Sequence, residues 1–468
     1  MKLNAKLLGF LALVALALWL RISQYPHLSL SVSNYDSDRY GEAGQLGFPS
    51  LRFFTSIQQP TIAWAYQALE PDSGYQITNI SSPGDQLHPP LVWQPGFERI
   101  TTLQAMVATL AWVALAWAVF RSIETPPLQY LAAGLVLLFG LSPQVVEWDY
   151  VMLSEPLAIS LLVALLAVSI ELMRTLGAAK PAGRGKRLAL GALWLLITVL
   201  WVFARDTNNY MLPAFVAALI AMRFWQPDRS QLPTAALAGL GLALVLLFVT
   251  ASSLAQQSGR WINPFFNNLL DRVLPVAEHR AFFEARGLPV SEELLAEVGG
   301  NLTELSLFNL SDLVRWTEQN GTQSYMAFLA SHPQWALQEF VEDTQHAFTE
   351  NAQPFFRRDT EVTPAFLVYL GDLLHPTDSL IVWLVVLQLG VLLWLAVKRG
   401  NRTRIGLALL FWLFFLGSVG TLFVSIHGDA AGIVRHALSS VLLFRLLLWL
   451  LPGYILDALA ESRANKNA

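Results

Sequence analysis

The sequence contains no cysteine and few charged residues. The absence of cysteine from the 468 residues excludes disulfide bonds, thiolate metal sites and thiol nucleophiles. Only 14% of the residues are charged, whereas an average soluble protein has about 25%. The net charge of −4 provides no basic surface for a nucleic acid. These deficits argue against a soluble globular protein, a disordered chain and a nucleic-acid partner.

Hydrophobic residues, in contrast, make up 54% of the chain and occur in long runs. A helix needs roughly 20 apolar residues to cross the hydrocarbon core of a membrane. The sequence therefore predicts an all-α polytopic membrane protein with about ten transmembrane helices. The predicted spans lie near residues 5–22, 100–120, 127–142, 152–173, 188–204, 210–224, 233–253, 379–397, 405–426 and 433–452. Arg21 follows the first run without a small-residue cleavage site, so we predict a retained helix rather than a signal peptide.

The distribution of lysine and arginine predicts the orientation of these helices. Connections 174–187 and 398–404 are rich in basic residues and contain no acidic residue. Connections 143–150, 205–209 and 427–435 contain acidic residues and at most one lysine or arginine each. Because basic connections stay in the cytoplasm, we expect a multi-pass protein of the cell (inner) membrane with both termini cytoplasmic. Any site among the acidic connections then faces the extracytoplasmic side.

Two long connections divide the chain into three predicted regions. Residues 1–253 form a transmembrane module that includes an outer loop at 23–99, residues 254–378 form an extracytoplasmic helical subdomain, and residues 379–468 form the C-terminal transmembrane helices. Aromatic-rich patterns in the first outer loop are typical of interfacial helices in the headgroup layer, and a small folded cap is the alternative. In the subdomain, helical patterns occur around 276–286, 291–299, 322–331 and 333–348.

The first candidate site is a pair of carboxylates early in the first outer loop. Asp36 and Asp38 lie about fourteen residues beyond the first predicted span. Such a pair can share a divalent cation, or one carboxylate can act as a base while the other tunes its pKa. The structural alternative is that Asp36 caps a helix and Asp38 is an acid in its first turn.

Further candidates lie next to the second and fourth spans. His88 stands before two prolines and could hydrogen-bond a phosphate or a hydroxyl, or it could belong to a structural turn. Three carboxylates lie at the outer ends of the membrane helices: Glu147, Asp149 and Glu155. Removing them from water is energetically unfavourable unless they contact water, cations or ligands there. Ser154 with Glu155 is also ordinary chemistry for the start of a helix.

Two arginines complete the candidate set. Arg205 and Arg435 are nearly the only basic residues in the short outer connections. A guanidinium binds a phosphate through two parallel hydrogen bonds, so both are candidate substrate-binding residues. The alternative for Arg205 is a local ion pair with Asp206 or Glu155.

These residues give the chain a resemblance to the GT-C superfamily of multi-pass glycosyltransferases, over roughly residues 1–210. The stretch Asp36–Ala43 is similar to the Asp-Glu-x-x-Tyr-x-x-x-Ala/Ser pattern of the branch that includes the lipid A aminoarabinose transferases. His88–Leu91 is similar to the Lys-Pro-Pro-Leu/Phe motif at the end of the same loop. Ser154–Leu157 resembles the Ser/Pro-Glu-x-Leu opening of the fourth helix.

The resemblance implies a function and a role for each matched residue. It implies that a sugar moves, with inversion, from a polyprenyl-phosphate donor to an extracytoplasmic glycan, lipid or protein acceptor, as in the synthesis of cell-envelope glycans. Asp36 takes the place of the essential acid, Tyr40 that of the paired tyrosine, and His88 that of a basic residue near the donor phosphate. The acidic pair is split in this sequence, which leaves open whether Asp36 or Asp38 is the base and whether the two hold Mg²⁺ or Mn²⁺.

Two other functions fit the same layout. A transporter or flippase of lipid-linked sugars would use similar surfaces, but it predicts ionisable groups near the bilayer midplane and often two related halves. A non-catalytic membrane assembly subunit would use residues 254–378 to dock a partner. The candidate charged residues all lie at the outer ends of the helices, and the second half of the sequence does not repeat the first. We therefore favour the glycosyltransferase.

Overall fold

The computed structural model describes residues 5–25, 28–33, 35–78, 80, 91–178, 183–225, 234–300, 310–356 and 363–464. Within these residues the chain is mostly helical and contains one two-stranded antiparallel sheet, formed by β1 (Leu30–Ser31) and β2 (Val92–Trp93). The first part contains helices α1 (Ala5–Ile22), α2 (Tyr35–Gly44), α3 (Leu51–Phe54), α4 (Pro60–Leu69), α5 (Glu98–Ser122), α6 (Pro126–Leu141), α7 (Pro143–Val146), α8 (Glu155–Gly177), α9 (Arg184–Val202), α10 (Leu212–Trp225) and α11 (Thr234–Gln257).

The second part of the chain is also helical. It contains α12 (Ile262–Asn268), α13 (Ala277–Glu284), α14 (Glu292–Ala296), α15 (Ser311–Trp316), α16 (Thr322–Ser331), α17 (Pro333–Phe348), α18 (Ala365–Leu374), α19 (Ile381–Arg399), α20 (Arg402–Gly428) and α21 (Ile433–Ala464). Short 3₁₀ segments occupy Glu147–Tyr150 and Asp206–Met211, and π-helical turns occupy Leu269–Val273 and Thr317–Gly321.

The helices make the protein a multi-pass membrane protein. Among the described residues, eight helices are long and apolar enough to cross a membrane: α1, α5, α8, α9, α11, α19, α20 and α21. Helix α6 becomes a ninth span only together with residues Pro143–Tyr150, which follow it at a bend of 53°. The span predicted at 210–224 is α10, whose 14 residues reach about 21 Å against a core of about 30 Å. Within the described residues, the ten spans expected from the sequence are therefore not all matched by helices of sufficient length.

Helices α5, α8, α20 and α21 form the centre of the bundle. Their most apolar stretches are 56%, 67%, 56% and 72% buried, whereas those of α1 and α11 are only 22% and 17% buried. The expected span at 152–173 begins later, at Glu155. Before it, Val151 is extended, and the Met152 amide donates to the Val32 carbonyl at 2.9 Å.

The first outer loop folds against the bundle. Val32 of the segment after β1, Tyr40 of α2 and Tyr66 of α4 belong to the main hydrophobic core. The other side of the loop exposes apolar side chains, with Phe48 51% and Leu51 68% exposed. The loop thus combines a packed inner side with an apolar outer side, so both the folded cap and the interfacial location fit it.

The segment 254–378 divides between two cores. Phe265, Phe283 and Phe328 belong to a hydrophobic core separate from that of the bundle. Phe348 and Phe355 instead belong to the main core. The patterns around 322–331 and 333–348 match α16 and α17 in their bounds, while the pattern around 291–299 forms only the shorter α14.

Candidate active site

Four of the predicted site residues meet where the ends of several helices converge. Asp36 lies in the first turn of α2, Glu155 is the first residue of α8, Arg205 follows α9, and Arg435 lies in the first turn of α21. Local pairing brings the first two together: Val32 hydrogen-bonds on both sides of Val151, and the Ser37 hydroxyl donates to the Met152 carbonyl at 2.6 Å. This pairing fixes the start of α2 beside the start of α8.

The four side chains form one continuous charge cluster. Arg435 donates through Nε to Glu155 Oε1 at 2.5 Å and through Nη2 to Asp36 Oδ2 at 3.0 Å. Arg205 Nη1 lies 3.0 Å from the same Glu155 oxygen. Two guanidiniums thus face two carboxylates, and the charges of these four groups balance.

Exposure differs sharply within the cluster. The side chains of Glu155 and Arg205 are 0% and 7% exposed, whereas those of Arg435 and Asp36 are 19% and 29% exposed. A fully buried carboxylate requires paired charge around it, so Glu155 fixes the two arginines and is out of reach of a substrate. Asp36 and Arg435 form the accessible side of the cluster.

Tyr40 packs beside the cluster without carrying charge. Its hydroxyl donates to Gln59 Oε1 at 2.9 Å. Burial raises the pKa of Tyr40 well above its usual value, and the nearby negative charges of Asp36 and Glu155 raise it further. Tyr40 therefore stays a neutral phenol and serves as a hydrogen-bond donor.

Asp38 and Asp36 lie on different sides of α2. Asp38 is exposed, and residues two apart on a helix do not face each other. Within the described part of the chain, no group of three or more acidic or histidine side chains could hold a metal ion. Asp36 and Asp38 therefore do not face each other across a shared position, and the Mg²⁺ or Mn²⁺ expected at these two residues stays a prediction through which we derive no step.

Asp149 lies in a separate buried ion pair. Its Oδ2 accepts from Arg21 Nη2 at 2.5 Å and from the Tyr25 hydroxyl, with the Arg21 and Asp149 side chains 3% and 4% exposed. Arg21 also donates to the Gly140 carbonyl. These contacts tie α1 to the end of α6. A substrate-binding role for Asp149 stays a prediction, and His88 lies outside the described residues.

The structure adds residues that the sequence interpretation did not select. His436 accepts a hydrogen bond from Arg205 Nη2 through Nδ1 at 3.1 Å, and its Nε2 lies 3.1 Å from Asp429 Oδ2. Asp429 lies in the short connection that contains Arg435, and His436 directly follows that connection. An acid and a histidine so close in sequence to Arg435 were the feature from which the sequence could have predicted them. Of the two ion pairs considered for Arg205, the structure forms the one with Glu155.

Asp206 instead pairs with an arginine of the long outer segment. Arg260 Nε and Nη2 donate to the two Asp206 carboxylate oxygens at 2.8 and 3.0 Å. Arg260 Nη1 also donates to the Ser56 and Gln58 carbonyls at 2.6 and 3.2 Å. This one side chain therefore connects the first outer loop, the start of the 3₁₀ segment and the beginning of the segment 254–378.

Comparison with known proteins identifies no family. No model of a known protein family matches the chain, and no curated protein matches it. Among solved structures, the Archaeoglobus fulgidus oligosaccharyltransferase is similar in its apo form, with a TM-score of 0.46 and 13% identity over 100% of this chain and 52% of that chain.

The same archaeal enzyme is also matched with bound molecules. The form tethered to an acceptor peptide containing the NVT sequon has a TM-score of 0.46 and 12% identity, over 99% of this chain and 51% of that chain. The form in complex with an inhibitory peptide and a dolichol-phosphate has a TM-score of 0.46 and 13% identity, over 99% and 52%. This chain spans about half the length of these structures.

Proposed function

We propose that this protein is a membrane glycosyltransferase that moves one sugar from a polyprenyl-phosphate donor to an extracytoplasmic glycan, lipid or protein acceptor. The observation that carries the proposal is the position of Arg435, whose guanidinium connects the accessible Asp36 to the buried Glu155. A carboxylate able to act as a base and two cations able to hold a phosphate thus occur together at the ends of long apolar helices.

The donor phosphate would take its place beside the two arginines. Glu155 balances one of the two guanidinium charges, and Asp36 balances the other. A lipid phosphate binds a guanidinium through charge-assisted hydrogen bonds, so it can replace Asp36 as a partner of Arg435. Binding of the donor then releases the Asp36 carboxylate for the acceptor, while the polyprenyl tail lies among the apolar helices.

The transfer step uses side chains of the cluster. The acceptor hydroxyl oxygen attacks the anomeric carbon on the face opposite the phosphate, and Asp36 takes the hydroxyl proton. The bond between the anomeric carbon and the phosphate oxygen breaks, and its electron pair leaves with the polyprenyl phosphate. Arg205 and Arg435 stabilise the charge on that leaving group. The configuration at the anomeric carbon inverts, and no covalent enzyme intermediate forms.

Replacement of Asp36 tests this proposal directly. Asp36→Asn keeps the shape and removes the base, so we expect sugar transfer to fall by roughly 10²- to 10⁴-fold while polyprenyl-phosphate binding is retained. Asp38→Asn is the matched control, because Asp38 is an exposed carboxylate on the same helix, and its transfer rate should be nearly unchanged. Unimpaired transfer by Asp36→Asn would contradict the assignment, and lipid-linked sugar export without transfer would favour the flippase.

A further inference from the structure

The imidazole of His436 lies between the buried Arg205 and an acid that the mechanism does not use. Arg205 Nη2 is 3.1 Å from His436 Nδ1, and His436 Nε2 is 3.1 Å from Asp429 Oδ2. Asp429 Oδ1 accepts in turn from Asn267 Nδ2 at 2.8 Å and from the Ala431 amide at 2.9 Å. A chain of hydrogen bonds therefore runs from α12 to an arginine of the charge cluster.

The hydrogen bonds on its two sides determine the tautomer of His436. A guanidinium donates through every N–H and accepts none, so the Nδ1 atom that faces Arg205 must be the unprotonated one. The proton then lies on Nε2, which donates to the Asp429 carboxylate. The other oxygen of that carboxylate, Oδ1, accepts from Asn267 Nδ2 and from the Ala431 amide. Asp429 is thus an acceptor on both of its oxygens.

The backbone around the histidine supports this orientation. Gly432 has a φ of +65°, the left-handed conformation that favours glycine. This residue turns the chain from Asp429 into α21, where the His436 amide donates to the Gly432 carbonyl at 3.0 Å. The turn places Asp429 and His436 on the same side, within hydrogen-bonding distance.

Arg205 depends on this chain for the orientation of its guanidinium plane. Its Nη1 contacts Glu155 at 3.0 Å and the Arg435 carbonyl at 3.4 Å, and its Nη2 contacts His436. With Glu155 alone, the planar group could rotate about one contact. The second contact, on the other terminal nitrogen, fixes the plane in which the arginine presents its donors.

We propose that His436 is a positioning residue for Arg205, held as its Nε2–H tautomer by Asp429, and that Asn267 links the outer segment to the site through Asp429. The identity of the ligand in this inference, a lipid phosphate, rests on the proposed function; the hydrogen-bond chain itself does not. The consequence is that changes at His436 alter affinity for the phosphate although this side chain need not touch it.

Two conservative replacements separate the two hydrogen bonds of His436. In His436→Asn the amide oxygen can take the place of Nδ1 and accept from Arg205, whereas in His436→Gln the amide nitrogen can take the place of Nε2 and donate only to Asp429. We measure binding of decaprenyl phosphate to the full-length protein in detergent micelles. We expect the Gln variant to raise the Kd about tenfold, the Asn variant to bind more tightly than the Gln variant, and Asn267→Ala to weaken binding in the same direction.

His346→Asn is the matched control, because this histidine is exposed on α17, and its Kd should equal that of the wild type. Equal loss in both His436 variants, or no loss in either, would overturn the positioning role. If the wild-type protein does not bind decaprenyl phosphate, the proposed function fails, and ¹⁵N-histidine NMR of the full-length protein decides the inference alone. A proton on Nε2 of His436 supports it, and a proton on Nδ1 overturns it.

Discussion

Glu155 offers the sharpest test of how the charge cluster is held together. Its side chain is fully buried and contacts Arg435 at 2.5 Å and Arg205 at 3.0 Å. Glu155→Gln keeps the shape and one acceptor oxygen but leaves a buried guanidinium charge without its partner. Removal of one member of a buried ion pair typically costs about 3–5 kcal/mol. Because Asp36 remains next to Arg435, we expect a loss near the lower limit, about 3 kcal/mol.

The assay is thermal unfolding of the detergent-solubilised protein, followed by the fluorescence of its 16 tryptophans. The Glu155→Gln variant should unfold at a lower temperature, and decaprenyl phosphate should stabilise it more than the wild type, because the ligand supplies the missing negative charge and binds only the folded state. The control is Glu171→Gln, whose partners Arg121, Arg174 and Lys186 are 34%, 24% and 46% exposed, so its effect should stay within about 1 kcal/mol. Equal unfolding temperatures for the Glu155 and Glu171 variants would show that the buried charge of Glu155 does not hold the cluster together.

Two further predictions concern the cluster and the packing of α6 against α5. Arg435→Lys should reduce sugar transfer and decaprenyl-phosphate binding together, because one ammonium cannot reproduce the two-sided contact with Glu155 and Asp36; unchanged binding would contradict this. Gly140→Ala should destabilise the protein by about 1–3 kcal/mol, because the added Cβ would lie 2.4 Å from the Trp112 ring. Gly134→Ala on the same helix meets nothing closer than 3.9 Å and should leave the unfolding temperature unchanged or slightly raised, so similar losses in the two variants would show that packing against Trp112 is not the cause.

Local patterns in the sequence predicted most of the helices. The 5–22 run and α1 have the same bounds. Pro333 marks the start of α17, and the helical spacing of the apolar residues after it indicates the helix from local sequence alone. The count of spans was harder to predict. The run at 210–224 is apolar enough to be read as a span, but it is short, and it forms only the 14-residue helix α10 after a 3₁₀ segment at Asp206–Met211. Hydropathy alone therefore marks a candidate span without showing that its helix is long enough to cross the membrane.

Four members of the candidate site could be predicted from the sequence, but His436, Asp429 and some of the pairings could not. Asp36, Glu155, Arg205 and Arg435 stood out because charges at the ends of apolar helices are costly without partners, and the structure brings these four together. Asp149 satisfied the same criterion, but its partner Arg21 lies 128 residues away in sequence. A partner at that separation is determined by tertiary packing, which no local pattern shows.

The most direct test of the central claim is to locate the phosphate of a bound polyprenyl phosphate by electron cryo-microscopy of the full-length protein. We expect phosphate density within hydrogen-bonding distance of Arg205 and Arg435, with the isoprenoid tail between apolar helices and Asp36 turned away from Arg435. Phosphate density at the opposite ends of the helices, or at a position that contacts neither arginine, would contradict it.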